Sequence, residues 1–183
     1  YTIYNADQFA AFGRLVGGFM LPEGLSIDNF KGVTVTLAGD INFEGKTIYP
    51  VGYYNVKDGS KITESSFYSF EGIFDGAGHT IKNIYQNTWE IKGDYDGNYY
   101  CDAMGLFGYV VNGKVKNLTV DSFSSDGEFT PTGVISAYAA NATFENIAIT
   151  NCTPRVYNTG NGGIIGIGGD TESANTPDNT TLK

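Results

Sequence analysis

Gly105-Leu106-Phe107-Gly108, followed shortly by Val115-Lys116-Asn117-Leu118-Thr119-Val120, is the stretch from which the fold is read. The first block recurs as Gly72-Ile73-Phe74-Asp75, Gly133-Val134-Ile135-Ser136 and Gly163-Ile164-Ile165-Gly166, so the four copies stand 33, 28 and 30 residues apart. The second block recurs around Asn83 and Asn146, and the three Asn lie 11, 12 and 13 places after their Gly. Two places before each Asn stand Ile81, Val115 and Phe144, and one place after stand Ile84, Leu118 and Ile147. Val120 and Ile149 extend the alternation, which Gln86 interrupts in the first copy. Such alternation marks short strands with one buried face. Apolar positions three apart across the Asn require the strand to bend there, and Asn tolerates the left-handed backbone of a corner.

Strand, corner, strand, repeated about every 30 residues with no helix between, predicts an all-β chain wound as a parallel solenoid. Coils stacked about 4.8 Å apart would place Asn83, Asn117 and Asn146 in one amide ladder. An antiparallel sandwich is the competing architecture, but it has no reason to keep Asn in one phase three times.

The ends read differently. Asn5-Ala6-Asp7-Gln8 is a capping box, Phe9, Phe12, Leu15 and Val16 follow at helical spacing, and Gly17-Gly18 stop the run. A helix over about 5–17 is therefore expected to cap the open end of the solenoid, whose strand edges and core would otherwise be bare. The first coil is read from Val33-Thr34-Val35-Thr36-Leu37, Asp40-Ile41-Asn42-Phe43 and Ile48-Tyr49-Pro50-Val51-Gly52. Coils are expected over about 33–169, in one domain, with a polar tail over 170–183 that caps nothing. A chain opening on Tyr1 without a signal peptide reads as a segment of a larger protein.

These blocks together resemble the GLUG-motif repeats of bacterial cell-surface proteins. Tyr4-Asn5-Ala6-Asp7-Gln8-Phe9, Leu37-Ala38-Gly39-Asp40-Ile41, Tyr49-Pro50-Val51-Gly52 and Phe70-Glu71-Gly72-Ile73-Phe74-Asp75-Gly76-Ala77-Gly78-His79-Thr80-Ile81 extend the likeness over roughly residues 1–167. The third and fourth copies depart from the motif, with Ser136 in place of its last Gly and Ile135 and Ile165 in place of its Phe. The resemblance implies a right-handed parallel β-helix of about four to five coils in secreted or wall-attached proteins. These include adhesin-like proteins and accessory regions of immunoglobulin A peptidases. It implies no catalytic residues.

Composition narrows the function. The 183 residues carry 11 basic and 20 acidic side chains, a net charge of −9, which argues against nucleic acid and anionic membranes as partners. Gly numbers 25, roughly twice the usual ~7%, as expected for a chain full of turns. No apolar run approaches the ~18 residues of a membrane span. Cys101 and Cys152 are too few for a disulfide framework, and they stand either as free thiols or as one bridge.

Catalytic motifs are scarce. The single His79 sits in a Gly-rich turn, and no Gly-x-Ser-x-Gly elbow accompanies it. Gly45-Lys46-Thr47 has Asp40 where a phosphate loop needs its first Gly. A polysaccharide lyase or glycoside hydrolase is the enzyme alternative, because parallel β-helices host such chemistry. Asp75 is its one candidate carboxylate, with Gly108, Ser136 and Gly166 expected at equivalent positions. Asp94, Asp96, Asn98 and Asp102 are spaced like the first ligands of a calcium loop, but Tyr99 and Gly105 occupy the positions of its Gly and Glu. The stretch reads first as a solvated polar loop with no cofactor, and calcium is the one ion its pattern admits. Sequons occur at Asn117, Asn141, Asn151 and Asn179.

The longest interval between Gly blocks holds Trp89, Tyr95, Tyr99 and Tyr100, with Gly93 and Gly97 marking it as loop. Flat amphipathic rings beside carboxylates suit sugar faces or a protein surface. They suit equally a lid folded over the coil. The expectation is a non-catalytic adhesin-like or spacer module, extracellular or wall-attached, meeting host or microbial glycan or protein and its neighbouring domains. A carbohydrate-active β-helix or its binding module is the alternative.

Overall fold

The computed structural model describes residues 1–18, 21–54, 67–87, 103–126, 131–155, 161–168 and 180–183. The chain opens with β1 (Thr2–Ile3) and one helix, α1 (Ala6–Gly17), followed by β2 (Thr34–Leu37), β3 (Ile41–Asn42), β4 (Tyr53–Tyr54) and β5 (Phe67–Tyr68). β6 (Ile73–Asp75), β7 (Thr80–Asn87), β8 (Phe107–Val111) and β9 (Lys114–Asp126) form the middle. β10 (Thr132–Gly133), β11 (Ser136–Ala140), β12 (Thr143–Thr150), β13 (Thr153–Pro154), β14 (Asn161–Gly162), β15 (Ile165–Gly168) and β16 (Thr181–Leu182) complete it.

The protein is strand-rich, and the two largest sheets among the described residues are parallel. The largest runs β1-β2-β6-β9-β12-β16, with β3, β7 and β13 pairing alongside, and β15-β11-β8 form a second sheet. The described antiparallel pair is the short β4–β5 hairpin. Among the described residues no helix is long and apolar enough to cross a membrane.

The core fills from both sheets. Val35, Phe74, Val115 and Phe144 of the large sheet and Phe107, Val110 and Ala139 of the second are all buried in one cluster, with the Phe74 and Phe107 rings 5.3 Å apart. α1 lies against one end of it, as its apolar spacing predicts. Asn5 Oδ1 accepts from Gln8 N–H at 2.9 Å and Gln8 Oε1 accepts from Tyr4 N–H at 2.7 Å, which is the capping box. Phe9 and Phe12 then set their rings against Phe43, Phe74, Phe30 and Phe70.

The corners follow the expected chemistry but not the expected alignment. Asn83, Asn117 and Asn146 all have positive φ, at 56°, 52° and 53°. Asn117 and Asn146 are stacked, since Lys116 pairs with Glu145 and Leu118 with Ile147. Asn83 belongs to a different corner. Lys82 pairs with Asp121 and Ile84 with Phe123, which sets Asn83 beside Ser122, itself at φ 57°. β9 turns twice, at Asn117 and at Ser122, and both corners carry the same apolar spacing, so one sequence pattern serves two places. Likewise Gly72-Ile73-Phe74-Asp75 runs beside Lys114-Val115-Lys116, not beside Gly105-Leu106-Phe107-Gly108. Val51 takes that neighbouring place, bridged to Phe107. The Gly105 and Gly133 blocks begin in the expected register, with Met104 bridged to Thr132, and slip by one beyond it, with Phe107 opposite Ser136; the Gly163 block is shifted by one, with Gly133 opposite Gly162. The end of the tail is not idle, because β16 pairs with Thr143–Phe144 of β12.

Candidate functional site

Trp89, Tyr95, Tyr99 and Tyr100, together with Asp94, Asp96, Asn98, Asp102 and Cys101, lie outside the described residues. The structure describes the residues on either side of their segment. On the near side β7 ends at Asn87, paired with Asp126, and the Asn87 amide donates to the Tyr85 hydroxyl at 3.1 Å. On the far side Ala103 and Met104 are buried, and Met104 N–H donates to the Pro131 carbonyl at 3.0 Å.

Gln86 joins these two sides. Its side chain is fully buried, accepting from Gly105 N–H at 2.7 Å and donating to the carbonyls of Gly105 at 2.9 Å and Ile48 at 3.2 Å. A buried amide with its hydrogen bonds made stabilises what it joins, and left bare it would cost the full desolvation of each group. Gln86 thus breaks the apolar column in order to clamp the two ends of the segment together. The interruption in the alternation was the visible signal of this role.

Beside Ala103 sits a small apolar cluster separate from the main core. Tyr109 and Tyr138 stack with centroids 4.6 Å apart and planes at 8°, against Ala103 and Ala137. The two rings are register partners, 29 residues apart along the chain, so the stacking follows from strand pairing.

The titratable groups are engaged in holding corners. Asp75 Oδ1 accepts from Ala77 N–H at 2.9 Å and from the Asn117 amide at 3.1 Å, while Oδ2 meets Lys116 Nζ at 2.9 Å. Burial pushes the Asp75 carboxyl up, but these three donors together bring it below the ordinary carboxylate range. Its strand equivalents are Lys116 and then Glu145, not the small residues expected. Asp121 accepts from Thr150 Oγ1 at 2.7 Å and Asn151 Nδ2 at 2.8 Å, which hold it low as well. Glu145 is held low by Lys114. Asp40 accepts from Thr80 N–H at 2.9 Å, and His79 Nδ1 stands 3.4 Å from the same oxygen, so His79 is a turn residue ahead of β7. Asn117 and Asn151 spend their amides on Asp75 and Asp121. Cys152 is a free thiol whose pKa burial raises.

A depression of about 330 Å³ is lined by Val16, Ile27, Asp28, Asn29, Tyr68, Ser69 and Glu71. Its carboxylates are engaged too, Asp28 by Phe30 N–H at 2.7 Å and Glu71 by Lys31 at 3.7 Å. Among the described residues no three His, Cys, Asp or Glu side chains converge on a metal position. No family, curated protein or solved structure matches this chain.

Proposed function

We propose that the chain is a right-handed parallel β-helix of about four to five coils, of the GLUG-repeat type. In this reading it serves as a non-catalytic adhesin-like module or spacer in a large extracellular or wall-attached bacterial protein. Segment 88–102 is its recognition element, presenting Trp89, Tyr95, Tyr99 and Tyr100 to a host or microbial glycan or surface protein. The observation that supports the reading is the pair of buried hydrogen bonds between Gln86 and Gly105, which join the described residues on either side of the aromatic-rich stretch 88–102. Recognition on such scaffolds resides in loops held by a stiff frame.

The test is a glycan and mucin array probed with the native chain and with Trp89→Ala/Tyr95→Ala. Binding that the double variant loses, with a melting temperature changed by little, supports the reading. A double variant destabilised by about 3 kcal/mol or more identifies the rings as a packed lid, and so does binding that survives it; either overturns the recognition role. Millimolar calcium added during the same melts tests Asp94, Asp96, Asn98 and Asp102, where a rise reversed by chelator is the signature of a bound ion.

A further inference from the structure

The depression beside α1 is walled by backbone that other bonds hold in place. Asp28 N–H donates to the Leu15 carbonyl at 3.1 Å, near the end of the helix. Asp28 Oδ1 accepts from Phe30 N–H at 2.7 Å and Asn29 Oδ1 accepts from Lys31 N–H at 3.1 Å, so two side chains pin their own turn. Glu71 N–H donates to the Asn29 carbonyl at 2.8 Å, which ties that turn to the approach to β6. Ile27 lies against Gly18, where an added Cβ would come within 2.6 Å of Ile27 Cδ1.

Those bonds leave polar atoms over. Among the described residues Asp28 Oδ2, the Asn29 Nδ2 amide and the Ser69 hydroxyl make no hydrogen bond. Glu71 meets the exposed Lys31 at 3.7 Å, beyond hydrogen-bond length. All four side chains line the depression, and Ile27 supplies an apolar wall.

This set of groups selects its occupant. Two carboxylates repel an anion, and a bare ammonium has no acceptor to offer the Asn29 amide. A sugar ring has hydroxyls that both donate and accept, and a C–H face for an apolar wall. The volume of about 330 Å³ lies at the small end of ligand sites and suits a single ring. We propose that the depression binds one neutral pyranose unit of a glycan. Its hydroxyls donate to Asp28 and Glu71 and accept from Asn29, with its C–H face on Ile27. None of these groups belongs to residues 88–102, so this site and the recognition segment stand or fall separately.

The probes are the methyl pyranosides of glucose, galactose, mannose and N-acetylglucosamine, titrated into the isotope-labelled chain and followed by amide chemical shifts. At least one should move the amides of residues 27–29 and 69–71 saturably, with a Kd on the order of millimolar. Asp28→Asn keeps the acceptor for Phe30 N–H and removes one carboxylate oxygen. It and Glu71→Gln should each weaken binding at least about tenfold at an unchanged melting temperature, whereas Trp89→Ala/Tyr95→Ala should leave it intact. No saturable shift from any of the four sugars overturns the proposal. So does equal affinity in both carboxamide variants, loss in the Trp89→Ala/Tyr95→Ala chain, or an equal response to ethylamine.

Discussion

At Asn117 the backbone turns through φ 52° while the side chain joins Asp75 on one strand to Asn146 on the next. Asn is suited to both roles, since it tolerates the left-handed region and carries a donor and an acceptor. Asn117→Ala should therefore cost about 1–3 kcal/mol in denaturant unfolding, from the lost bonds and the strained corner together. Asn117→Gly, which keeps the turn, should cost less; equal losses would mean that the amide contributes nothing. The carboxylates at these corners carry a pH dependence. Asp75, Asp121 and Glu145 titrate below their ordinary range, so their contribution is present above about pH 4 and is lost as pH falls through the lower folded values. Asp75→Asn should flatten the acid limb of a stability–pH curve, and an unchanged limb would remove Asp75 from that role. These corners were only partly legible in the sequence. An apolar residue two before and one after an Asn describes Asn83 and Asn117 equally, and Ser122 makes the same turn with no Asn to announce it.

α1 was legible almost to the residue, because its signals are local: Asn5 and Gln8 at the start, Gly18 at φ 70° at the end. The strands were legible as strands but not in register, because pairing is decided by partners distant in sequence. β12 makes the difference visible. Leu118 is 1% exposed, while Ile147, directly opposite it, is only partly buried. Leu118→Ala should cost about 2–5 kcal/mol, and Ile147→Ala distinctly less, because its side chain is only partly buried. Equal costs from thermal or denaturant melts would show that the two rows are covered alike. β16 was missed because its neighbours in sequence are polar, although Thr181-Leu182-Lys183 repeats the start of the strand block.

Across the whole molecule, residues some 29 to 39 positions apart in sequence lie side by side on parallel strands. Thr119 stands between Thr80, 39 positions earlier, and Ala148, 29 positions later. The parallel architecture was legible because repetition at a near-constant step leaves few other folds. The proposed recognition segment was legible only as composition, since what aromatic rings contact depends on neighbours that sequence does not specify. Cysteine cross-linking measures the central relation most directly. In a chain with Cys101 and Cys152 replaced by serine, three pairs would be compared: Thr80→Cys with Thr119→Cys, Thr119→Cys with Ala148→Cys, and Thr80→Cys with Ala148→Cys. Parallel neighbours at about 4.8 Å fall within disulfide reach, whereas the third pair spans two strand spacings. The account predicts rapid oxidation of the first two pairs and none of the third. Failure of either adjacent pair, or ready closure of the third, would contradict it.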